Sequence, residues 1–157
     1  MDVLFLCTGN SARSILAEAL LNARAEGRLR AHSAGSHPRG EVNPLALEVL
    51  RTCEIDTAGL RSKSWDEFGT DGAPHMDVVI TVCDQAAAEA CPLWPGAPVK
   101  VHWGLPDPAL VAGGQAERLA AFARTFTELE QRINKLLSLP LELLSPEELE
   151  GQLRALA

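Results

Sequence analysis

The sequence predicts an α/β fold in which a doubly wound sheet of four parallel strands is flanked by helices. Short apolar runs alternate with longer segments of helical periodicity along the chain, a pattern typical of repeated β–α units. Two of these runs are apolar at nearly every position, as expected for strands that are buried on both faces of a parallel sheet. No internal repeat, low-complexity tract or linker interrupts the pattern.

The chain is long enough for one domain with a substantial core. It has 157 residues, of which 46% are hydrophobic, and a single core is usual at this size. We therefore expect one domain over residues 1–157 that ends in a short helical extension, over about residues 141–157.

The first β–α unit begins near residue 2. Residues 3–6 form a continuous apolar run that ends at Cys7, and a turn containing Gly9 follows. A helix is predicted next because apolar residues recur at steps of three and four, and Gly27 supplies its end. The residues that set this spacing are Ile15, Leu16, Ala19, Leu20 and Ala23.

The second and third strands follow the same pattern. Residues 30–34 predict a short strand, and Pro44 precedes the apolar segment 45–50 at the start of a helix, where proline is tolerated. Residues 76–82 predict a third strand, which is mostly apolar. This strand too leads into a cysteine, Cys83.

The last third of the chain predicts one strand and two helices. Residues 99–102 form the strand, and the Gly and Pro content of residues 104–114 indicates a loop. Residues 117–137 carry apolar side chains at steps of three and four, which indicates a long amphipathic helix. Ser145, followed by Pro146 and two glutamates, has the pattern of a capping box that starts a last short helix.

Composition narrows the possible functions. The formal net charge is −7, which argues against nucleic acid as a partner because phosphate backbones are bound by clustered Lys and Arg. No apolar run approaches the roughly 20 residues of a membrane span, and we expect no export signal, so a cytoplasmic protein is predicted. The four cysteines are then not expected to form a permanent disulfide framework.

The predicted topology brings distant residues together. In a parallel α/β sheet, ligands bind beyond the carboxyl ends of the strands. Cys7, Cys83 and the loop after His102 each follow a predicted strand. The sequence therefore predicts a ligand site at this edge of the sheet.

The turn between the first strand and the first helix carries the strongest motif. Cys7 and Arg13 bracket this turn, which can curl so that its N–H groups and the helix N-terminus point at one anion. The guanidinium of Arg13 matches two oxygens of a tetrahedral oxyanion. The predicted oxyanion-binding residues are Thr8, Gly9, Asn10, Ser11, Ala12 and Arg13.

The same surroundings act on the Cys7 thiol. A helix N-terminus and a nearby arginine lower the pKa of a cysteine, so we expect Cys7 to be a nucleophilic thiolate that accepts a hydrogen bond from Ser14. The alternative is that Cys7 is a small buried residue at a strand end. We expect neither a metal nor a cofactor, because no second ligand stands at metal-binding spacing from Cys7.

The motif resembles that of the low-molecular-weight tyrosine phosphatase superfamily. Three features carry the resemblance: the Cys-x5-Arg-Ser loop after the first strand, the strand end His32-Ser33-Ala34-Gly35, and the pair Asp107-Pro108. It extends to about Leu137 and implies Cys7 as the nucleophile and Asp107 as the general acid. A carboxylic acid at this edge can protonate a departing oxygen, whereas the alternative is an aspartate that only starts a turn.

Cys83 and Cys91 separate a reductase from a phosphatase. A phosphatase hydrolyses its cysteine adduct with water, but a reductase needs thiols that supply two electrons. If the alanine-rich segment 84–90 is helical, its rise alone holds the two thiols roughly 12 Å apart, beyond disulfide reach. The prolines after Cys91 indicate a loop that can rearrange. Two independent buried thiols are the alternative.

This cysteine pair, with the runs His102-Trp103-Gly104 and Asp107-Pro108-Ala109, resembles the thioredoxin-coupled arsenate reductases of the superfamily. The resemblance implies that Cys7 attacks arsenate, that Cys83 then displaces arsenite, and that Cys91 resolves the disulfide for thioredoxin or a related thiol reductant. Phosphate and sulfate are expected to compete. Phosphotyrosine phosphatases of the superfamily typically carry tyrosines after the Asp-Pro pair, and this chain has no tyrosine.

Two other functions stay open. One is a phosphatase that acts on phosphotyrosine or small aryl phosphates, an activity that we also expect to accompany arsenate reduction weakly. The other is a non-catalytic sensor or phosphocysteine carrier, which would need no general acid. The electron donor also stays open between thioredoxin, glutaredoxin with glutathione, and another thiol.

The remaining candidate residues are expected to have structural rather than catalytic or metal-binding roles. Some relatives bind potassium near the loop, and Asn10, Ser33 and Glu18 match their ligands, but Lys63 places a cation in the segment that completes such sites. We therefore expect no potassium. Cys53 is expected in the core, and the histidines are expected to have ordinary roles.

Overall fold

The computed structural model describes residues 1–88 and 98–157, and its centre is a parallel sheet. The strands are β1 (Asp2–Leu6), β2 (Arg30–Ala34), β3 (Val78–Thr81) and β4 (Val99–His102). Their order across the sheet is β2-β1-β3-β4, and each neighbouring pair is parallel. The predicted four-stranded sheet is confirmed, although β3 is shorter than the apolar run that predicted it.

Helices connect and cover these strands. Within the described ranges they are α1 (Arg13–Arg24), α2 (Pro44–Thr52), α3 (Asp84–Ala88), α4 (Gln115–Leu137) and α5 (Pro146–Ala155). Pro44 is the first residue of α2, and the Asn43 side chain caps this helix by accepting a hydrogen bond from Leu45 N at 2.9 Å. No helix in these ranges is long and apolar enough to cross a membrane.

The order of the strands places a crevice between β1 and β3. The chain passes from β1 outward to β2 and then crosses to β3 on the other side of β1. Ligands of open α/β sheets bind at such a reversal, beyond the carboxyl ends of the two central strands. Leu6 pairs with Thr81 in the register of β1 and β3, so Cys7 and Cys83 leave the sheet side by side.

The core lies on both faces of β1. Phe5 belongs to the larger apolar cluster, which is built with α1, α2, α4 and α5. Leu4 and Leu6 point the other way, into a smaller cluster that includes Phe68. Both faces of β1 are therefore buried, which explains its uninterrupted apolar sequence.

Trp103 ties α5 to the sheet directly after β4. Its side chain is fully buried, its ring lies 6.3 Å from that of Phe5 between centroids, and its indole N–H donates to Leu153 O at 2.9 Å. The start of α5 is capped by Ser145 Oγ, which accepts from Glu148 N at 3.2 Å. The C-terminal segment thus packs on the same core as the sheet.

The interpretation of Cys53 as a core residue is wrong. The helix α2 ends at Thr52, and Cys53 is its C-terminal cap, where the side chain is exposed. The apolar face of α2 is instead formed by Leu45, Ala46, Val49 and Leu50. Sequence spacing alone did not reveal that the helix stops one residue before the cysteine.

The variant Trp103→Phe tests the attachment of α5. We expect the free energy of unfolding to fall by about 1–3 kcal/mol, because the smaller ring leaves space in the core and the Leu153 carbonyl, which also accepts from Leu156 N, loses one of its two donors. Urea unfolding measures the change, and Gln152→Ala, an exposed position in α5, should leave the midpoint unaltered. Equal midpoints for Trp103→Phe and the wild type would contradict this role of the indole.

Candidate active site

The loop between β1 and α1 is held against the end of β2. Cys7 N donates to Ala34 O at 3.2 Å, and Gly35 lies directly beneath the loop. A Cβ atom on Gly35 would stand 2.4 Å from Thr8 O and 2.6 Å from Cys7 O. Because backbone atoms cannot yield as a flexible side chain can, the loop requires glycine here, which gives a physical reason for the Ser-Ala-Gly strand end.

Asn10 shapes the middle of the loop. Its φ angle is 43°, in the left-handed region that asparagine tolerates better than most residues. The side chain is fully buried: Nδ2 donates to Ser14 Oγ at 2.8 Å, and Oδ1 accepts from Lys63 N at 2.9 Å. Asn10 therefore joins the loop to α1 and to the segment around Lys63. The predicted hydrogen bond from Ser14 to Cys7 stays a prediction.

The carbonyl groups of the loop are bonded from outside. Donors in the segment after β2 reach three of them: His37 N to Thr8 O at 2.9 Å, Arg39 N to Gly9 O at 3.0 Å, and Asn43 N to Ser11 O at 2.9 Å. These bonds fix the loop against the segment after β2, and loops of this kind bind anions through their amide groups. Sequence analysis did not identify this supporting segment.

A cavity of about 410 Å³ opens above the loop. Its walls bring together the sequence-predicted loop residues other than Asn10 with Cys83 and Asp107, and its lining also includes His37, Arg39, Leu105 and Leu110. A tetrahedral oxyanion fits such a volume with space to spare. Cys91 lies outside the described residues, as do Pro92 and Pro95.

Arg13 and Asp107 meet at one wall of the cavity. Arg13 NH1 donates to Leu105 O at 2.8 Å, and NH2 lies 3.5 Å from Asp107 Oδ2. Asp107 Oδ1 accepts from Ala109 N at 2.9 Å, so the carboxylate also starts the turn that follows. Arg13 Nε is buried without a hydrogen-bond partner among the described residues, and this N–H is a donor that an oxyanion in the loop can satisfy.

Cys7 and Cys83 are hydrogen-bonded to each other. The pKa of Cys83 is lowered to about 5, first by the Cys7 thiol and then by Thr8 and Ala86; Thr8 N and Ala86 N each donate to its sulfur at 3.3 Å. The pKa of Cys7 is raised by the bond to Cys83 and by burial, which together outweigh Arg13.

The expectation that Cys7 itself carries the negative charge stays a prediction, because the two sulfurs share one hydrogen bond and each has groups that favour its thiolate. Cys83 receives two backbone N–H groups in addition to the Cys7 thiol, whereas the guanidinium that would favour a Cys7 thiolate is shared with Leu105 and Asp107. A sequence shows that a cysteine follows a strand. It does not show which of two adjacent sulfurs receives the donors.

A buried ion pair lies behind the loop. Lys63 Nζ is 3.8 Å from Glu18 Oε1, and the two side chains are only 8% and 11% exposed. Burial raises the pKa of Glu18 and lowers that of Lys63, and each partner's charge opposes the shift of the other. The cation beside Glu18 is thus a side chain of the chain itself, and the described residues contain no group of three or more acidic, His or Cys side chains that could hold a metal.

His102 has a role that sequence analysis missed. Its Nδ1 lies 2.7 Å from Thr81 Oγ1, and its Nε2 lies 2.8 Å from Asp84 Oδ1. The ring thus connects the last residue of β4 with the first residue of α3, next to Cys83. The only sequence signal was the position of His102 at a strand end, on the edge where Cys7 and Cys83 lie.

Comparison with known proteins bears on this site. The family model of the low molecular weight phosphotyrosine protein phosphatases matches residues 2–152. The chain is 35% identical to an arsenate reductase of Bacillus licheniformis over 133 aligned residues. The alignment covers 85% of this chain and 92% of that protein.

Solved structures agree with the sequence comparison. The crystal structure of an arsenate reductase from Archaeoglobus fulgidus is similar with a TM-score of 0.67 at 30% identity, over 87% of this chain and 99% of that one. A thioredoxin-dependent arsenate reductase from Corynebacterium glutamicum is similar with a TM-score of 0.56 at 28% identity, over 85% of this chain and 61% of that one.

The ion pair behind the loop can be tested with Lys63→Met and the double variant Glu18→Gln/Lys63→Met. The single variant should lower the free energy of unfolding by about 3–5 kcal/mol, because it leaves a buried carboxylate without its cation. The double variant should recover most of this loss.

The loss in Lys63→Met should also depend on pH. A carboxyl whose pKa is raised in the folded state keeps its proton there at a pH where the unfolded chain has released it, so this stability is present at low pH and lost as pH rises. Urea unfolding at pH 5 and pH 8 measures both effects. Equal losses for the single and the double variant at both pH values would rule out the pairing.

Proposed function

The chain belongs to the low molecular weight phosphotyrosine protein phosphatase family, as the resemblance of its loop predicted, and we propose that it is an arsenate reductase that converts arsenate to arsenite. One observation carries the proposal: the sulfurs of Cys7 and Cys83 are hydrogen-bonded at the floor of an oxyanion-sized cavity. A phosphatase of this fold needs one thiol. A second thiol, hydrogen-bonded to the first, allows the two together to supply the electrons that a reduction requires.

The first step joins Cys7 to arsenate. The loop amides and the unsatisfied Arg13 Nε bind the arsenate oxygens, and the Cys7 sulfur attacks arsenic as its proton passes along the hydrogen bond to Cys83. One arsenate hydroxyl leaves as water after it takes a proton from Asp107. Since the two carboxylate oxygens of Asp107 are directed by Ala109 N and Arg13, the acid is oriented toward the cavity before the substrate arrives.

The second step reduces arsenic. The Cys83 sulfur attacks the Cys7 sulfur, the sulfur–arsenic bond breaks, and its electron pair remains on arsenic, which passes from As(V) to As(III). The Cys83 proton passes to an arsenite oxygen. Thr8 N and Ala86 N, each 3.3 Å from Cys83 Sγ, favour the thiolate that makes this attack. The products are arsenite and a Cys7–Cys83 disulfide.

The third step regenerates Cys7. Cys91 attacks the Cys83 sulfur and so releases the Cys7 thiolate, because a thiolate that attacks one sulfur of a disulfide expels the other. An external dithiol then reduces the Cys83–Cys91 disulfide. We propose a thioredoxin-like protein for this role, in line with the thioredoxin-dependent relative from Corynebacterium glutamicum.

Phosphatase activity is the second candidate function. The cavity also holds phosphate-sized groups, and Leu110, 79% exposed at its rim, offers an apolar contact for an aryl group. A chain without tyrosine lacks the aromatic clamp, so we expect hydrolysis of aryl phosphates to be slow beside arsenate reduction.

Three serine variants separate the steps. Cys83→Ser should release no arsenite even in a single turnover, because nothing displaces it from Cys7. Cys91→Ser should release about one arsenite per protein molecule and then stop with a Cys7–Cys83 disulfide. Cys53→Ser is the matched control and should turn over like the wild type, since Cys53 is exposed and outside the cavity.

A coupled assay with arsenate, thioredoxin, thioredoxin reductase and NADPH measures turnover, and arsenite is quantified directly. Equal turnover by all three variants would contradict the relay. So would rapid hydrolysis of an aryl phosphate by a wild-type protein that consumes no arsenate.

The variant Asp107→Asn tests the general acid. Arsenite formation in a single turnover should slow by roughly 10²–10⁴-fold, while inhibition by phosphate should persist because the loop is intact. Asp56→Asn is the matched control, since Asp56 Oδ1 accepts from Ala58 N at 2.9 Å in the same kind of turn, remote from the cavity. If both variants keep the wild-type rate, Asp107 only starts its turn.

A further inference from the structure

His102 connects two strands and a helix at the active edge of the sheet. Thr81 Oγ1 is 2.7 Å from Nδ1, and Asp84 Oδ1 is 2.8 Å from Nε2. One assignment satisfies both contacts: the Thr81 hydroxyl donates to Nδ1, and Nε2–H donates to the Asp84 carboxylate. The ring is thereby fixed at both nitrogens, and Thr81 and His102 are already paired in the register of β3 and β4.

The position of Cys83 depends on the segment that this ring holds. Asp84 is the first residue of α3, of which the structure describes residues 84–88, and the first turn of a helix in a protein is held mainly by tertiary contacts rather than by its own propensity. Yet α3 must stay folded for Ala86 N to donate to Cys83 Sγ at 3.3 Å. The bond between Asp84 and His102 is a tertiary contact that holds the first turn of α3 in place.

The contact also directs a charge away from the sulfur. The Asp84 side chain is 94% exposed, so its carboxylate is held by His102 on the solvent side of the rim. Without the imidazole this carboxylate, one residue from Cys83, is able to turn toward the Cys83 thiolate, where like charges repel.

The backbone leaves space for this contact at Gly104. A Cβ atom there would stand 2.9 Å from His102 Nε2 and 3.0 Å from Asp84 Oδ1, so the chain passes directly over the hydrogen bond between them. The next residue, Leu105, donates from its N to Val82 O and accepts from Arg13 at its carbonyl oxygen. One short segment thus touches both the Cys83 side and the Arg13 side of the cavity.

We propose that His102 is a positioning residue for Cys83: by holding Asp84 and the first turn of α3, it keeps the Cys83 sulfur beside Cys7 for the displacement of arsenite. The inference rests on the proposed function for this second step. The placement of the sulfur, however, can be measured without arsenate.

The test compares His102→Ala, Asp84→Ala, Asp84→Asn and the double variant His102→Ala/Asp84→Ala. The first readout is alkylation of Cys83 by iodoacetamide from pH 4 to pH 9, followed by mass spectrometry of the Cys83 peptide. The second is the rate of arsenite formation in a single turnover, and the third is the inhibition constant of phosphate. His32→Ala is the matched control, because His32 Nε2 lies 2.9 Å from Asp2 Oδ1 in a similar pair at the opposite end of the sheet.

The groups that act on Cys83 besides Asp84 are Cys7, Thr8 and the Ala86 amide, and all of them remain in these variants. We expect both alanine variants to move the midpoint of Cys83 alkylation to higher pH and to slow arsenite formation by about two- to tenfold. The double variant should equal Asp84→Ala, because both lack the contact and the carboxylate, whereas His102→Ala should shift the midpoint further because it leaves the carboxylate free to approach the thiolate. Asp84→Asn still accepts from Nε2 and should restore the rate, and phosphate inhibition should be unchanged throughout.

Several outcomes would overturn the inference. If His102→Ala and Asp84→Ala both keep the wild-type pH profile of Cys83 alkylation, His102 does not position Cys83. The same conclusion follows if the control His32→Ala shifts the profile as much as His102→Ala does. If His102→Ala does not fold, the exposed Asp84→Ala and the crowded Gly104→Ala decide the question by the same alkylation profile. If the wild-type protein forms no arsenite, the proposed function is wrong. A shifted pH profile of Cys83 alkylation in Asp84→Ala would still support the role of His102 in positioning Cys83.

Discussion

The hydrogen bond between the Cys7 and Cys83 thiols is the interaction around which the molecule is arranged. It exists because β1 and β3 are adjacent and in register, Leu6 beside Thr81, so that the residues after them leave the sheet at the same height. The chain must cross from β2 to the far side of β1 to achieve this. A sheet with the same strands in sequential order would place a strand between the two sulfurs.

The loop that carries Cys7 is held in place by contacts that stabilise the folded chain little or not at all. Asn10 has a left-handed backbone conformation, and Glu18 and Lys63 are buried ionised groups whose desolvation offsets most of their attraction. Such features persist when the surrounding structure over-determines them. Their effect is a loop whose amide groups already face the anion site, so that binding an oxyanion requires little reorganisation.

The parts of this molecule that follow local rules could be predicted from sequence. The buried strands, the glycine-containing turn with Cys7 and Arg13, and Asp107 in a loop at the same edge all have local signals. Three features do not. The exposure of Cys53 depends on where α2 stops, the location of the negative charge depends on which sulfur receives the backbone donors, and the His102 contact joins residues 18 positions apart. Each is decided by tertiary geometry, and no spacing in the sequence encodes it.

The location of the charge also determines the order of events in the proposed reaction. Cys7 must lose a proton to attack arsenate, and its hydrogen bond leads to a sulfur whose pKa is about 5, which holds a proton weakly. Once Cys7 is bonded to arsenic it no longer donates to Cys83, but Thr8 N and Ala86 N still do. The proton can then pass to an oxygen of the Cys7–arsenic adduct, and Cys83 attacks Cys7 as a thiolate only after Cys7 has reacted. The two thiols therefore act in sequence because they begin as one hydrogen-bonded pair, and a phosphatase with a single thiol has no equivalent of this second step.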